Sequence, residues 1–515
     1  MKYLVVLSSF LLCHQIFAQL PEDALRMSWT FPSGTARQQA LGGAMGSLGG
    51  DISSNFVNPA GLGVYKTGEF VVSPGFRFQT DKSFYRGTDT KGSSASNFNL
   101  GATGFVIGLP GENGSSTAIS LAVNRTANFG SNVSYSGQND YSSFSEQYVE
   151  EYARSGLSID EALNSTQLSY GTREALYSYL IDTATIGGVL QVIGQPQKIL
   201  NAHGILNQQY NKITKGGITE IALGLAGNFH NKWYIGGSIC LPIIDYTHDM
   251  TFTESDATGD GNNDFSTSTY KEHYHSEGAG VNIKLGGIYR PDDSWRIGLA
   301  VHTPTFYTLN DDFNSSMSTN TEQYTSQPQP INITSADLDA GSGVSQGTFK
   351  YYFTSPWKFI LSGSYILGEG SDVKSQKGFV TADAGFTTVK SSRFSTADEY
   401  TDPSYFDGVN SAIKAAYKGT FAFRLGGELK FNTIAARAGF SYYTDPYQEA
   451  TLKVNQMFVA GGLGYRDKGI FIDLTYVLGI GKDVNFPYRL SDKANTYAAI
   501  DSNSGTILLT AGFKF

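Results

Sequence analysis

The chain has 515 residues, 13% of them aromatic and 59 of them glycine, with a formal charge of −9 at pH 7. An acidic chain without a basic block excludes a nucleic-acid partner. With Cys13 and Cys240 as the only cysteines, a disulfide framework and a cysteine-rich metal site are excluded too.

At the amino terminus, Lys2 precedes the apolar run Leu4 to Leu12, which closes at Ile16-Phe17-Ala18 before Gln19. That order is the pattern of a cleaved signal peptide over 1–18, too short to cross a bilayer as a helix. Cys13 follows Leu11-Leu12 without the small residues of a lipobox, so lipidation is not expected. No later stretch reaches the roughly 18 uninterrupted apolar residues of a membrane helix. An exported chain of this composition that spans a membrane must do so as a closed barrel, which satisfies every backbone group in lipid.

Gly42 to Leu62 is glycine-rich, without strand or helix period, and ends in Asn58-Pro59-Ala60-Gly61-Leu62. Pro59 fixes the backbone and removes a donor, and Asn58 can bond to neighbouring backbone groups, which suits a rigid turn wedged between walls. This segment resembles the amino-terminal hatch of the FadL/TodX family of outer-membrane transporters for hydrophobic compounds. The resemblance implies a hatch over 19–66 carrying Asn58, Pro59 and Ala60. It also implies passive uptake by loop capture, passage into the barrel and lateral exit at a kinked third strand.

From residue 68 onward, period-two alternation and turn signals place strands near 68–79, 97–109, 116–129, 217–229, 233–250, 277–290, 295–309, 347–366, 376–392, 418–431, 434–446, 454–465, 470–482 and 504–515. The expected fold is all-β: an antiparallel transmembrane barrel of about 14 strands over 67–515, with helical external loops. Trp233 and Trp295 each follow a tight polar turn, where an interfacial aromatic girdle would put them. Short connections such as His230 to Lys232 and Asn432-Thr433 would be periplasmic and long ones external. The last strand ends on Phe515, resembling the closing strand read by the barrel-assembly machinery.

In the third strand, Ile119, Leu121 and Val123 face lipid if Ser120, Ala122 and Asn124 face in. Strict alternation then sends Arg125 outward, where a midplane charge costs about 2 to 4 kcal/mol. A bulge or inward kink between Val123 and Gly130 is the expected relief, turning Arg125 toward the lumen; the alternative leaves Arg125 at the outer rim against lipid phosphates.

The longest loop, 130–216, carries two capping-box patterns, Ser143 to Glu146 and Ser158 to Glu161, and apolar helices are expected near 144–154 and 174–194. They serve either as a ligand-capture groove or as a lid packed on itself. Asp256, Asp260 and Asp264 have the spacing of a calcium loop, but its twelfth position is Thr267 instead of Glu, which favours a solvated loop. His273 and His275 lie on one side of an extended segment without a third ligand, as a rim pair. No catalytic motif or cofactor signature occurs, and no enzyme activity is expected.

The inward charges Lys284, Arg296, Arg424, Arg437 and Arg125 could receive a carboxylate head group, or could be neutralised by Glu220, Glu428 and Asp473. The sequence thus reads as a Gram-negative outer-membrane barrel admitting hydrophobic small molecules, in particular long-chain fatty acids, in contact with outer-membrane lipid. The competing reading is a surface adhesion barrel for haem, polysaccharide or host protein.

Overall fold

The computed structural model describes residues 21–342, 347–368, 377–397 and 403–515; the expected signal peptide lies outside them. The described residues form fourteen antiparallel strands. In chain order these are the first (69–85), second (88–110), third (116–139), fourth (206–229), fifth (233–256), sixth (267–289), seventh (295–320), eighth (348–367), ninth (378–396), tenth (420–431), eleventh (434–443), twelfth (455–467), thirteenth (470–485) and fourteenth (498–514). Each strand pairs with its sequence neighbours, and the first pairs with the fourteenth, Glu69 opposite Lys514 and Gly75 opposite Leu508, so the sheet closes. Phe515 completes the seam by exchanging two backbone hydrogen bonds with Gly68, at 2.8 and 3.0 Å.

Alternation decides which face is which. Ile235, Ile239, Leu241 and Ile243 of the fifth strand are exposed, while Tyr234, Cys240 and Ile244 between them are buried. The same exposed apolar band recurs on the other strands and leaves the polar and small residues inside, the arrangement a lipid solvent imposes. At the end where the connections are tight, Trp233 and Tyr289 meet at 4.2 Å and Trp295 and Tyr365 at 4.9 Å, forming part of an aromatic girdle.

The fourth, fifth and sixth strands run 24, 24 and 23 residues, well beyond the roughly 10 that cross a bilayer. Their upper halves therefore rise above the membrane as a high wall. Residues 131–139 and 206–216, expected inside one long loop, are strand in this wall, their polar alternation being that of a sheet outside lipid. Helices Glu146–Ser155, Ile159–Asn164 and Tyr170–Tyr177 cover the opening. The helix expected over 174–194 ends at Tyr177, and Ile181–Ile186 and Val189–Gly194 form a hairpin instead. Its turn is Gly187-Gly188, both at positive φ (61° and 82°), a geometry that glycine adopts without penalty and that a helix cannot contain.

The third strand breaks the regular wall. Its ladder to the second strand runs from Ser116 opposite Pro110 to Val123 opposite Thr103 and stops there. Against the fourth strand an extra residue, Thr126, falls between Arg125 and Ala127; pairing continues at Ala127 and Asn128 and runs again from Ser131 to Asn139. Residues 88–100 pair with the first strand and, among the described residues, with no part of the third. The upper third strand instead lies against the inner face of that first hairpin: Asn97 presses its carboxamide on Gly130, and the rings of Tyr85 and Tyr135 meet at 4.9 Å.

Candidate functional site: a chamber above an inner segment

Residues 21–66 lie inside the barrel. The short helix Ala36–Ala40 packs on the eleventh to fourteenth strands, and the 3-10 turn Pro59–Val64 on the third to sixth. Glycines on the inner wall make this approach possible: a Cβ on Gly236 would stand 2.6 Å from the Pro59 carbonyl carbon, and one on Gly426 would stand 2.5 Å from Leu41 O.

Asn58 is the wedge. Its Oδ1 accepts from Ala60 N at 3.1 Å, and its Nδ2 donates to Gly46 O at 2.6 Å, with Gly287 O and Leu299 O of the wall at 3.3 and 3.4 Å. Pro59 opens the turn that follows, and Ala60 is fully buried against the fifth and sixth strands. Asp383, not singled out by the sequence, accepts from both Met45 N and Gly46 N at 3.1 Å.

Most of the inward charges hold this segment or each other. Arg437 Nε donates to Glu428 at 2.6 Å and its Nη1 to Asp473 at 2.6 Å, while Arg37 of the inner segment reaches the same Glu428 at 3.4 Å. Lys284 is paired with Glu220 at 2.5 Å. Arg296 donates to Leu48 O at 2.5 Å, and Arg424 to the Tyr443 hydroxyl at 3.2 Å. As head-group receptors Lys284 and Arg437 are therefore corrected to structural ion pairs, because a buried charge is tolerable only when neutralised. Arg125 stands at the break in the wall: its guanidinium lies over Gly217, on the side away from the buried Ile218, and it also borders the chamber described below.

The acidic loop has its carboxylates engaged separately. Asp256 accepts from Thr258 and Asn263, Asp260 from Asn262 N, and Asp264 pairs with Lys198 at 3.1 Å, so the three carboxylates do not converge. No cluster able to hold a metal occurs among the described residues. His273 pairs with Asp249 and His275 with Thr247, as separate rim contacts.

Above the inner segment lies a chamber of about 1250 Å³. Leu25, Trp29 and Phe31 form its floor, Tyr148, Leu168 and Tyr170 its roof, and Asn99, Asn128 and Phe129 its side at the wall break. Lys212 lines it and has no carboxylate within 4.0 Å among the described residues, in contrast to Arg26, which is paired with Asp23 at 2.5 Å and stacked on Tyr246 at 3.8 Å. The Tyr246 hydroxyl is buried without a partner. The strap Trp29, Phe31, Pro32 and Ser33 separates this chamber from a lower cavity of about 150 Å³ bordered by Lys284, His302, Lys358 and Arg424. Lys212 was missed because it sits in a polar stretch that reads as loop.

The roof is tied to the high wall by Glu254, which lies above the membrane-spanning part. It accepts from Ser143 Oγ and Gln208 Nε2, each at 2.6 Å. Burial pushes this carboxyl up to about 7 despite those donors.

With this geometry, comparison with solved structures is informative. A FadL homologue of Pseudomonas aeruginosa superposes with a TM-score of 0.56 over 95% of this chain and 100% of that one, at 12% identity. The chain has the FadL-type barrel fold. The toluene transporter TodX of Pseudomonas putida gives 0.50 over 94% and 99% at 12% identity, and a TodX deltaS2 mutant, described as a monoaromatic hydrocarbon channel, gives 0.52 over 93% and 98% at 13%. No sequence-family profile and no curated protein sequence matches the chain. At these identities the likeness is one of fold, and the two TodX neighbours are described as a transporter and a channel.

Proposed function

We propose that this protein admits hydrophobic small molecules across the outer membrane, long-chain fatty acids foremost. The roof helices collect the ligand, the chamber holds it above the inner segment, which acts as a hatch, and the ligand leaves sideways where the third strand departs from the wall. The observation that carries this reading is the chamber itself: a cavity of about 1250 Å³ with aromatic walls that reaches residues 125–131 of the broken strand. A cavity of this size and lining suits a largely apolar ligand, and Lys212 offers its head group a cation that is not engaged in a short ion pair. The FadL-type fold and the hydrophobic cargo named for its neighbours support the same reading.

The test is uptake of radiolabelled oleate by cells that lack other fatty-acid transporters and carry this protein in the outer membrane. Saturable uptake above the empty-vector level is expected. Uptake at the empty-vector level, with the barrel assembled, contradicts it.

A further inference from the structure

The outer surface around the wall break is apolar: Phe76, Phe98, Ile119 and Leu121 are all exposed. The rim of the break is not. Arg77, Asn97, Asn99, Asn124, Arg125 and Asn128 surround it, and several of their polar atoms are buried without a hydrogen-bond partner: Arg77 Nε, Arg125 Nε, Asn128 Nδ2 and Asn124 Oδ1. Asn124 itself is fully buried, with its Nδ2 spent on Ser33 Oγ at 3.1 Å.

Three of those four atoms are donors, two of them on guanidinium groups. The nearest carboxylates do not neutralise the pair. Asp81 is held by Ser502 Oγ at 2.5 Å and Gln79 Nε2 at 3.1 Å, and Asp245 lies on the outer face, beyond ion-pair distance of Arg125. Arg77 donates through Nη2 to Gln79 Oε1 at 2.9 Å, which leaves Nε aimed elsewhere.

A saturated hydrocarbon moving through this rim satisfies none of these groups and leaves the cost of their burial uncompensated. A carboxylate accepts from guanidinium and amide N–H groups in charge-assisted bonds, and a protonated acid can also donate to Asn124 Oδ1.

Building on the uptake reading, we propose that the rim is a head-group filter: it passes amphiphiles bearing a carboxyl group and retards neutral hydrocarbons of the same length.

The experiment compares radiolabelled dodecanoate and dodecane in cells carrying the full-length protein, with heat-modifiable migration as the check of barrel assembly. Wild type is expected to admit dodecanoate about tenfold faster than dodecane, and Arg77→Gln with Arg125→Gln to lose most of that preference by slowing dodecanoate alone. Arg77→Lys with Arg125→Lys, which keeps the charge, should restore it. Equal rates for the two probes in wild type, or unchanged dodecanoate uptake in the Gln variant, overturn the filter. If the Gln variant does not assemble, the wild-type comparison still decides. Uptake of neither probe contradicts the uptake reading itself, and the filter with it.

Discussion

Val123 lies opposite Thr103, and beyond that pair the second and third strands share no ladder among the described residues. Below it the wall is a continuous barrel; above it the third strand tucks inside the first hairpin. Backbone amides along 88–100 that face this seam, and those of 124–130 that face it from the other side, lack cross-strand partners among the described residues, although 124–128 stay paired with the fourth strand on their other edge. Hydrogen exchange in detergent or lipid should therefore be much faster there than in the fourth and fifth strands, which pair without interruption from Trp233 opposite Phe229 to Asp256 opposite Leu206. Equal protection in both regions would mean that the wall is closed.

The Arg437 guanidinium is buried between Glu428 and Asp473, with Arg37 of the inner segment on the same glutamate. Arg437→Met removes the shortest ion pair of each carboxylate, leaving Glu428 with Arg37 at 3.4 Å and Asp473 with Arg466 at 3.5 Å, and should cost about 3 kcal/mol of stability. Denaturant unfolding checks this, with a large drop in midpoint expected. A midpoint within error of wild type would return Arg437 to the role of a free ligand-binding charge.

Lys212 is a chamber cation with no carboxylate within 4.0 Å among the described residues. Lys212→Met should weaken binding of a long-chain carboxylate about tenfold, the scale of one charge-assisted hydrogen bond, and leave its methyl ester unaffected. Titration calorimetry with both ligands separates the outcomes, because an equal loss for acid and ester would indicate a change of cavity shape.

Glu254 fastens the roof to the fifth strand, and burial raises its carboxyl to about 7 from its ordinary value near 4.5. The folded roof thus holds a proton that the unfolded segment gives up. The stability this contributes is complete below about pH 4.5 and is lost as pH rises through about 7. Proteolysis of residues 142–180 should be slower at pH 5.5 than at pH 8.5, and Glu254→Gln should flatten the difference. The opposite pH trend would contradict a neutral Glu254.

Much of the barrel was legible because lipid enforces period-two alternation: the turns at His230-Asn231 and Asn432 and the tryptophans after the turns fall where the pattern puts them. The kink was legible from one misfit, Arg125 following three lipid-facing apolar residues. Above the membrane that constraint lapses. Residues 206–216 alternate between polar and polar, so they read as loop, and Lys212 was lost with them. The hairpin at 181–194 carried its signal in Gly187-Gly188, which the run of apolar residues around it outweighed. Lys284 and Glu220 are 64 positions apart and Arg437 and Asp473 36, so no local pattern decides between these pairs and free charges, whereas Glu428 and Arg437, 9 apart, face each other across a hairpin.

The central claim is that ligand leaves through the break in the third strand, and removing its cause tests this most directly. Thr126 is the extra residue against the fourth strand. Its deletion should restore register, draw the strand back into the wall and leave the floor and roof of the chamber in place. Measured as initial oleate uptake in cells with equal amounts of assembled barrel, the deletion is predicted to abolish uptake while the purified variant still binds oleate. Uptake at the wild-type rate through a third strand shown by hydrogen exchange to be continuously paired would contradict the account.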